Sequence, residues 1–129
     1  MRDFGTVLTC MDGRIQRKVS DYLLTTFGVS SIDTVTAAGM VRHVAEETER
    51  TATIFDDLDV SVSKHGSKDI AVVAHHDCAG NPIADKSQRD QVAAAATRLS
   101  ERHPEAEVIG LWLDRNWTCL LYTSPSPRD

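Results

Sequence analysis

Residues 69–78 read Asp-Ile-Ala-Val-Val-Ala-His-His-Asp-Cys, and this stretch decides the fold. The apolar run from Ile70 to Ala74 is typical of a strand that a parallel sheet buries on both faces. The run leads directly into a polar loop that begins with His75 and contains Cys78. We therefore predict a buried strand whose carboxyl end carries side chains capable of chemistry.

Strand-like and helix-like segments alternate on both sides of this stretch. We predict strands at Phe4–Thr9, Ser31–Ala37, Asp69–Ala74 and Glu107–Leu113, and helices at Gln16–Phe27, within Arg42–His65, and from Asp85 to a stop at Pro104. An Asp85-x-x-Gln88 pair predicts a capping box at the start of the last helix. The alternation implies β-α-β units with right-handed crossovers. The expected fold is one three-layer α/β domain over residues 1–118, with helices on both faces of a mainly parallel four-stranded sheet.

A second polar loop, Cys10-Met-Asp12-Gly-Arg14, comes directly after the first predicted strand. In an open α/β sheet, ligands bind outside the carboxyl ends of the strands, at a switch in strand order. If Cys10 converges with His75 and Cys78, the first and third strands must be neighbours. The predicted strand order is therefore 2-1-3-4.

Two cysteines and a histidine that meet at one point favour zinc, which takes sulfur and nitrogen ligands tetrahedrally. Three protein ligands leave one position open, as in catalytic zinc sites. His76 is an alternative to His75 as the imidazole ligand. A disulfide between Cys10 and Cys78 is disfavoured, because the sequence shows no secretory signal that would place it in an oxidising compartment.

These motifs resemble those of a known family, the β-class carbonic anhydrases, and more closely the short carbonic anhydrase-like proteins related to them. The first motif matches the family's Cys-x-Asp-x-Arg, and His75-His-Asp-Cys78 matches its His-x-x-Cys. The resemblance implies that Cys10, His75 and Cys78 bind Zn²⁺, and that Asp12 and Arg14 form the pair that controls the fourth position. It further implies a homodimeric zinc lyase that hydrates carbon dioxide to bicarbonate.

Three other functions are compatible with the same residues. A zinc hydrolase of carbonyl sulfide or carbon disulfide would use the same ligands. A non-catalytic zinc-binding protein would keep Asp12 permanently in the fourth position. A thiol enzyme would use Cys10 as a nucleophile activated by Arg14.

The composition argues against two classes of partner. The 129 residues carry 14 Lys and Arg against 19 Asp and Glu, a net charge of −5, and no basic block, so we expect no nucleic acid. No apolar run approaches the roughly 20 residues of a membrane span. The expectation is a cytoplasmic protein with a small-molecule substrate and no membrane partner. Of the remaining histidines, His43 and His103 are expected to be solvated.

The last eleven residues differ from the rest of the chain. Residues 119–129 read CLLYTSPSPRD and hold two of the four prolines and one of the three cysteines. This segment resembles the in-frame translation of a transposase adapter used in short-read DNA library preparation. We therefore interpret residues 119–129 as a non-native tail and expect the native sequence to be cut near Thr118.

Overall fold

A computed structural model of the chain describes residues 3–123. Its elements, in chain order, are β1 (Phe4–Thr9), α1 (Gln16–Phe27), β2 (Ser31–Thr36), α2 (Met40–Ala45), α3 (Thr51–Lys64), β3 (Asp69–His75), α4 (Asp85–Arg102), β4 (Glu107–Leu113) and β5 (Cys119–Thr123). The α/β class predicted from the sequence is confirmed.

The five strands form one sheet in the order β2-β1-β3-β4-β5. The pairs β1–β2, β1–β3 and β3–β4 are parallel, so the predicted order 2-1-3-4 is confirmed. The sheet has one strand more than expected, because β5 pairs antiparallel with β4. This added strand comes from the first residues of the segment interpreted as a non-native tail, and residues 124–129 of that segment lie outside the described residues. The origin of the segment stays a prediction.

Helices cover both faces of the sheet, as three layers require. On one face, α1 packs Val19 and Leu23 against Val7, Ala71 and their neighbours. On the other face, α2, α3 and α4 pack against Leu8, Val72 and the residues around them. All seven residues of β3 are buried, as its unbroken apolar run predicts. The central strand is therefore held between two cores, and its carboxyl end has a fixed position.

The region 42–65, within which one helix is predicted, contains the end of α2 and all of α3, separated by a break at residues 46–50. Glu46 is extended, with φ −124° and ψ 164°. The Thr51 hydroxyl lies 2.7 Å from the carbonyl oxygen of His43 and 3.2 Å from that of Glu46. Threonine hydroxyls that bond nearby main-chain groups compete with helical hydrogen bonds, which accounts for the break.

The capping box predicted for α4 is wrong. The N-cap residue is Ala84, and no side chain caps the helix there. The Asp85 carboxylate instead lies 2.9 Å from Nδ1 of His76, and Gln88 is buried and donates to the carbonyl of Asn81. Tertiary partners therefore take both side chains away from the helix end. Within residues 3–123, no helix combines the length and the apolar character needed to cross a membrane.

Candidate metal centre

The carboxyl ends of the neighbouring strands β1 and β3 bring three predicted ligands together. One ligand atom from each of Cys10, His75 and Cys78 lies within 4.8 Å of the other two, and all three side chains are buried. The two sulfurs are 3.8 Å apart, and both cysteines are free. The convergence that motivated the strand order is therefore present in the structure.

The arrangement of these atoms fits a zinc ion. Two sulfurs bound at about 2.3 Å to one tetrahedral ion lie about 3.8 Å apart, which matches the observed spacing. His75 Nδ1 lies 2.7 Å from the carbonyl oxygen of His76, which can only accept, so Nδ1 donates there. Nε2 of His75 is buried without a hydrogen-bond partner among the described residues. Such an orphaned nitrogen, fixed by a main-chain carbonyl on its other side, is typical of a metal ligand.

His76 does not contribute to this cluster. Its Nδ1 bonds the Asp85 carboxylate at the start of α4. Of the two adjacent histidines, the structure therefore places His75 at the cluster.

The two thiols perturb each other's ionisation. The hydrogen bond with Cys78 lowers the pKa of Cys10, whereas the same contact and burial raise the pKa of Cys78. Burial by itself lowers the pKa of His75, but Cys10, the His76 carbonyl and Asp12 together raise it. The site thus holds one thiolate readily, and negative charge at Cys10 favours a cation between the three side chains.

Asp12 lies beside this cluster and is held by Arg14. Arg14 Nη2 is 2.7 Å from Asp12 Oδ2, its Nε is 3.1 Å from Oδ1, and its main-chain N–H also donates to Oδ1 at 2.8 Å. These bonds lower the pKa of Asp12 to about 2 and raise that of Arg14. Asp12 Oδ2 is 3.9 Å from His75 Nε2. The predicted pair is therefore assembled at the mouth of the site, with the carboxylate turned to Arg14.

Two residues that the sequence analysis did not assign to the pair also hold Arg14. Asp77, in the left-handed conformation with φ 59°, accepts from Arg14 through both Oδ2 and its main-chain carbonyl. The ring of Trp117 stacks on the guanidinium, 4.4 Å from Cζ, and lies 6.1 Å from the His75 ring. Trp117 has φ 61°, in a turn where Asp114 Oδ1 accepts from the N–H groups of Asn116 and Thr118. The only signal for this turn in the sequence was Asp114, an acidic residue that precedes it.

Two histidines that are expected to be solvated form hydrogen-bond contacts within the protein. His43 is buried, with Nδ1 bonded to Thr48 and Nε2 to the carbonyl of Ala38. His103 Nε2 lies 2.8 Å from the Asp59 carboxylate. The expectation of solvation is therefore wrong for both histidines. No sequence pattern links either histidine to its partners, so these contacts could not be predicted.

Comparison with known protein families agrees with this geometry. The family described as "Putative carbonic anhydrase" matches residues 1–122. The chain belongs to this carbonic anhydrase family. A search of the curated proteins found no significant match.

Solved carbonic anhydrase structures share the fold. The enzyme from Glaciozyma antarctica superposes with a TM-score of 0.67 at 12% identity, covering 95% of this chain and 82% of that chain. β-Carbonic anhydrase isoform I from Trichomonas vaginalis gives 0.66 at 14% identity, covering 96% and 84%. Carbonic anhydrase from Streptococcus mutans gives 0.64 at 14% identity, covering 92% and 80%. The sheet and its helices are therefore those of the β-carbonic anhydrases.

Proposed function

We propose that this chain hydrates carbon dioxide to bicarbonate at a zinc ion held by Cys10, His75 and Cys78. The observation that carries the proposal is the buried, unpartnered Nε2 of His75 facing two free thiols 3.8 Å apart. Membership of the carbonic anhydrase family supports the reaction and the small-molecule substrate. Three protein ligands leave one position of a tetrahedral ion for the reacting water.

Zinc, when bound, would supply Lewis acidity that lowers the pKa of a water ligand to about 7. The residues of the chain supply the rest of the site. The Cys10 and Cys78 sulfurs and His75 Nε2 would hold the ion, and the His76 carbonyl keeps Nδ1 as the protonated nitrogen of His75. The lone pair of the imidazole is therefore on Nε2, where it would be available to the ion.

Asp12 orients the reacting water in this proposal rather than removing its proton. A pKa of about 2 keeps its carboxylate ionised at neutral pH and makes it a weak base. An ionised carboxylate beside the site accepts a hydrogen bond from the nucleophile and aims its lone pair at the carbon. The proton released when water and carbon dioxide become bicarbonate leaves to solvent.

Arg14 fixes the position of Asp12. It spans both carboxylate oxygens, and Asp77 and Trp117 restrain it from two further directions. Because both carboxylate oxygens of Asp12 are paired with Arg14, the geometry favours the catalytic function over a protein in which Asp12 permanently fills the fourth position.

The first experiment measures zinc per chain by elemental analysis after refolding with metal supplied. We expect about one zinc in the parent chain and little in Cys78→Ser. Cys119→Ser is the matched control, because Cys119 is a free thiol in β5 outside the cluster, and it should keep the zinc. A folded parent chain without zinc would contradict the metal centre and would favour thiol chemistry at Cys10.

The second experiment measures carbon dioxide hydration by the zinc-loaded parent chain. Parallel assays measure hydrolysis of carbonyl sulfide and of carbon disulfide as alternative substrates. Catalysed bicarbonate formation that disappears in Cys78→Ser supports the proposal. If the zinc-loaded chain hydrolyses only carbonyl sulfide or carbon disulfide, the substrate is that sulfur compound and not carbon dioxide. A zinc-loaded chain inactive on all three would contradict the catalytic role.

We also propose the homodimer that the family resemblance implies. Light scattering of the zinc-loaded chain should give twice the mass of one chain. A monomer with full turnover would contradict it.

A further inference from the structure

His43 lies near the candidate metal centre but is not one of its ligands. It belongs to α2, is 2% exposed, and both of its ring nitrogens have partners. Nδ1 is 2.7 Å from the Thr48 hydroxyl, and Nε2 is 3.2 Å from the carbonyl oxygen of Ala38. A buried imidazole with two defined partners has a fixed orientation.

The partners decide which nitrogen carries the proton. The Ala38 carbonyl can only accept, so Nε2 is the donor to it. A neutral imidazole that donates from Nε2 accepts at Nδ1, so the Thr48 hydroxyl donates there. Its distance to Nδ1, 2.7 Å, is shorter than its 3.3 Å to the Thr51 hydroxyl, which itself donates to the carbonyl of His43. His43 is then the Nε2–H tautomer. Burial, the first cause of its lowered pKa, agrees with the neutral form.

The peptide group that His43 contacts also reaches the cluster. The carbonyl of Ala38 and the N–H of Gly39 belong to one peptide unit, and this N–H donates to Cys10 Sγ at 3.5 Å. A continuous chain of hydrogen bonds therefore runs from Thr48 through the imidazole and the peptide to the sulfur.

Close packing against Gly80 also holds this peptide. Gly39 has φ 62°, and a Cβ there would lie 2.5 Å from the carbonyl oxygen of Gly80. A Cβ on Gly80 would lie 2.6 Å from the carbonyl carbon of Ala38. Two glycines thus let the loop after Cys78 press against the peptide, while His43 holds its carbonyl.

We propose that His43 is a positioning residue for the Cys10 sulfur, acting through the Ala38–Gly39 peptide. Its hydrogen bond fixes the direction of the Gly39 N–H and polarises the peptide, which strengthens donation to the sulfur. Hydrogen bonds to a ligand tune metal affinity by 10- to 100-fold in other sites. The expected effect on metal affinity rests on the proposed function, whereas the chain of hydrogen bonds from Thr48 to Cys10 does not require a metal.

The first test measures hydrogen exchange of the Gly39 amide by NMR in the metal-free full chain. His43→Leu should accelerate this exchange at least about tenfold, because loss of one hydrogen bond releases the peptide. His43→Gln offers an amide donor at the position of Nε2, and the rate should stay within about threefold of the parent. The amides of Ala71 and Leu111, in the sheet core, report whether the fold is intact.

An unchanged Gly39 rate in a folded His43→Leu chain would overturn the proposal, and so would equal acceleration in the Leu and Gln variants. If His43→Leu does not fold, Thr48→Val replaces it. That variant keeps the imidazole but removes the hydroxyl that fixes its tautomer, and it should accelerate Gly39 exchange with the core amides unchanged. No acceleration in Thr48→Val would count against the hydrogen-bond chain.

The second test measures the zinc Kd by competition with a chelator. We expect Kd to rise about tenfold in His43→Leu and to return near the parent value in His43→Gln. An equal Kd in the parent and the Leu variant would contradict the role of His43 toward the metal. A parent chain that binds no zinc would contradict the proposed function instead, and the exchange comparison would still decide whether His43 positions the peptide.

Discussion

Two polar regions of this protein differ in how their atoms are partnered. The candidate metal centre lies at the carboxyl ends of β1 and β3. A second region, here called the Thr6 network, lies around Thr6 of β1 and consists of Thr6, Asp33, Ser61 and Ser67 together with the exposed His65. Within the Thr6 network, the Ser61 hydroxyl is 2.6 Å from both Thr6 Oγ1 and Asp33 Oδ2, and Thr6 donates to Ser67 at 2.7 Å.

The difference in hydrogen bonding distinguishes a region that stabilises the fold from a region that favours binding a ligand. Among residues 3–123, the buried side-chain nitrogens and oxygens without a partner belong to Thr9, His75, Gln88 and Thr123, and none belongs to the Thr6 network. Burying a polar atom without a hydrogen bond is costly, so a satisfied network stabilises the fold. An orphaned nitrogen that faces two thiols favours an external ligand. Variants in the two regions should therefore change different properties.

The largest expected effect is on turnover, from Arg14→Ala. Without the guanidinium, Asp12 loses the bonds that hold it beside the site, and we expect turnover to fall about 100-fold. Zinc content should stay near one per chain, because Arg14 is not a ligand. Stopped-flow hydration assays and elemental analysis measure the two quantities. Arg17→Ala, at an exposed arginine near the start of α1, is the matched control, and full turnover in Arg14→Ala would remove the pair from the mechanism.

The next largest effect should be on stability, from Thr6→Val. This change removes the hydroxyl that contacts both Ser61 and Ser67 in a fully buried position. We expect the free energy of unfolding to fall by about 2 kcal/mol, because a buried partner is left unsatisfied. Denaturant unfolding of the metal-free chain measures it, and zinc per folded chain should not change.

Thr9→Val on the same strand is the control for Thr6→Val. Thr9 is equally buried, but its hydroxyl has no partner. The substitution should leave the free energy of unfolding within about 0.5 kcal/mol of the parent value or raise it. Equal losses in the two variants would mean that partnering does not distinguish these hydroxyls.

A smaller effect is expected from Trp117→Leu. The ring stacks on Arg14 at 4.4 Å and restrains a side chain that is 47% exposed. Loss of one cation–π contact at an exposed site should reduce turnover about two- to fivefold. The same hydration assay measures it, with zinc content as the check that the ligands are intact. Unchanged turnover would mean that Asp12 and Asp77 hold Arg14 without the ring.

Much of the fold could be predicted because it depends on local patterns. The bounds of β1, α1 and β4 agree with the sequence periodicity, and the two strand-end motifs predict that β1 and β3 are neighbours. The break before Thr51 and the burial of His43 could not be predicted, because each depends on a contact with a main-chain carbonyl that any residue would supply. The position of Trp117 depends on a left-handed turn in a residue type that rarely adopts it.

The smallest expected effect is a pH dependence of stability that comes from His43. Burial and the nearby charges of Arg42 and Arg50 lower its pKa below the ordinary value of about 6.5, although Glu49 and the Ala38 carbonyl oppose them. The unfolded chain therefore takes up a proton at His43 before the folded chain does. The stability that neutral His43 contributes is fully present above about pH 6.5 and is lost as the pH falls through its lowered folded-state value.

His43→Gln, which does not titrate, isolates this contribution. Denaturant unfolding of the metal-free chain at pH 8 and pH 5.5 should show a larger loss of stability in the parent than in His43→Gln. The Thr6 network is unchanged between these two chains, so it cancels in the comparison. Equal losses would mean that the buried imidazole takes up its proton without cost, and the hydrogen bond from Thr48 to Nδ1 would then not fix its tautomer.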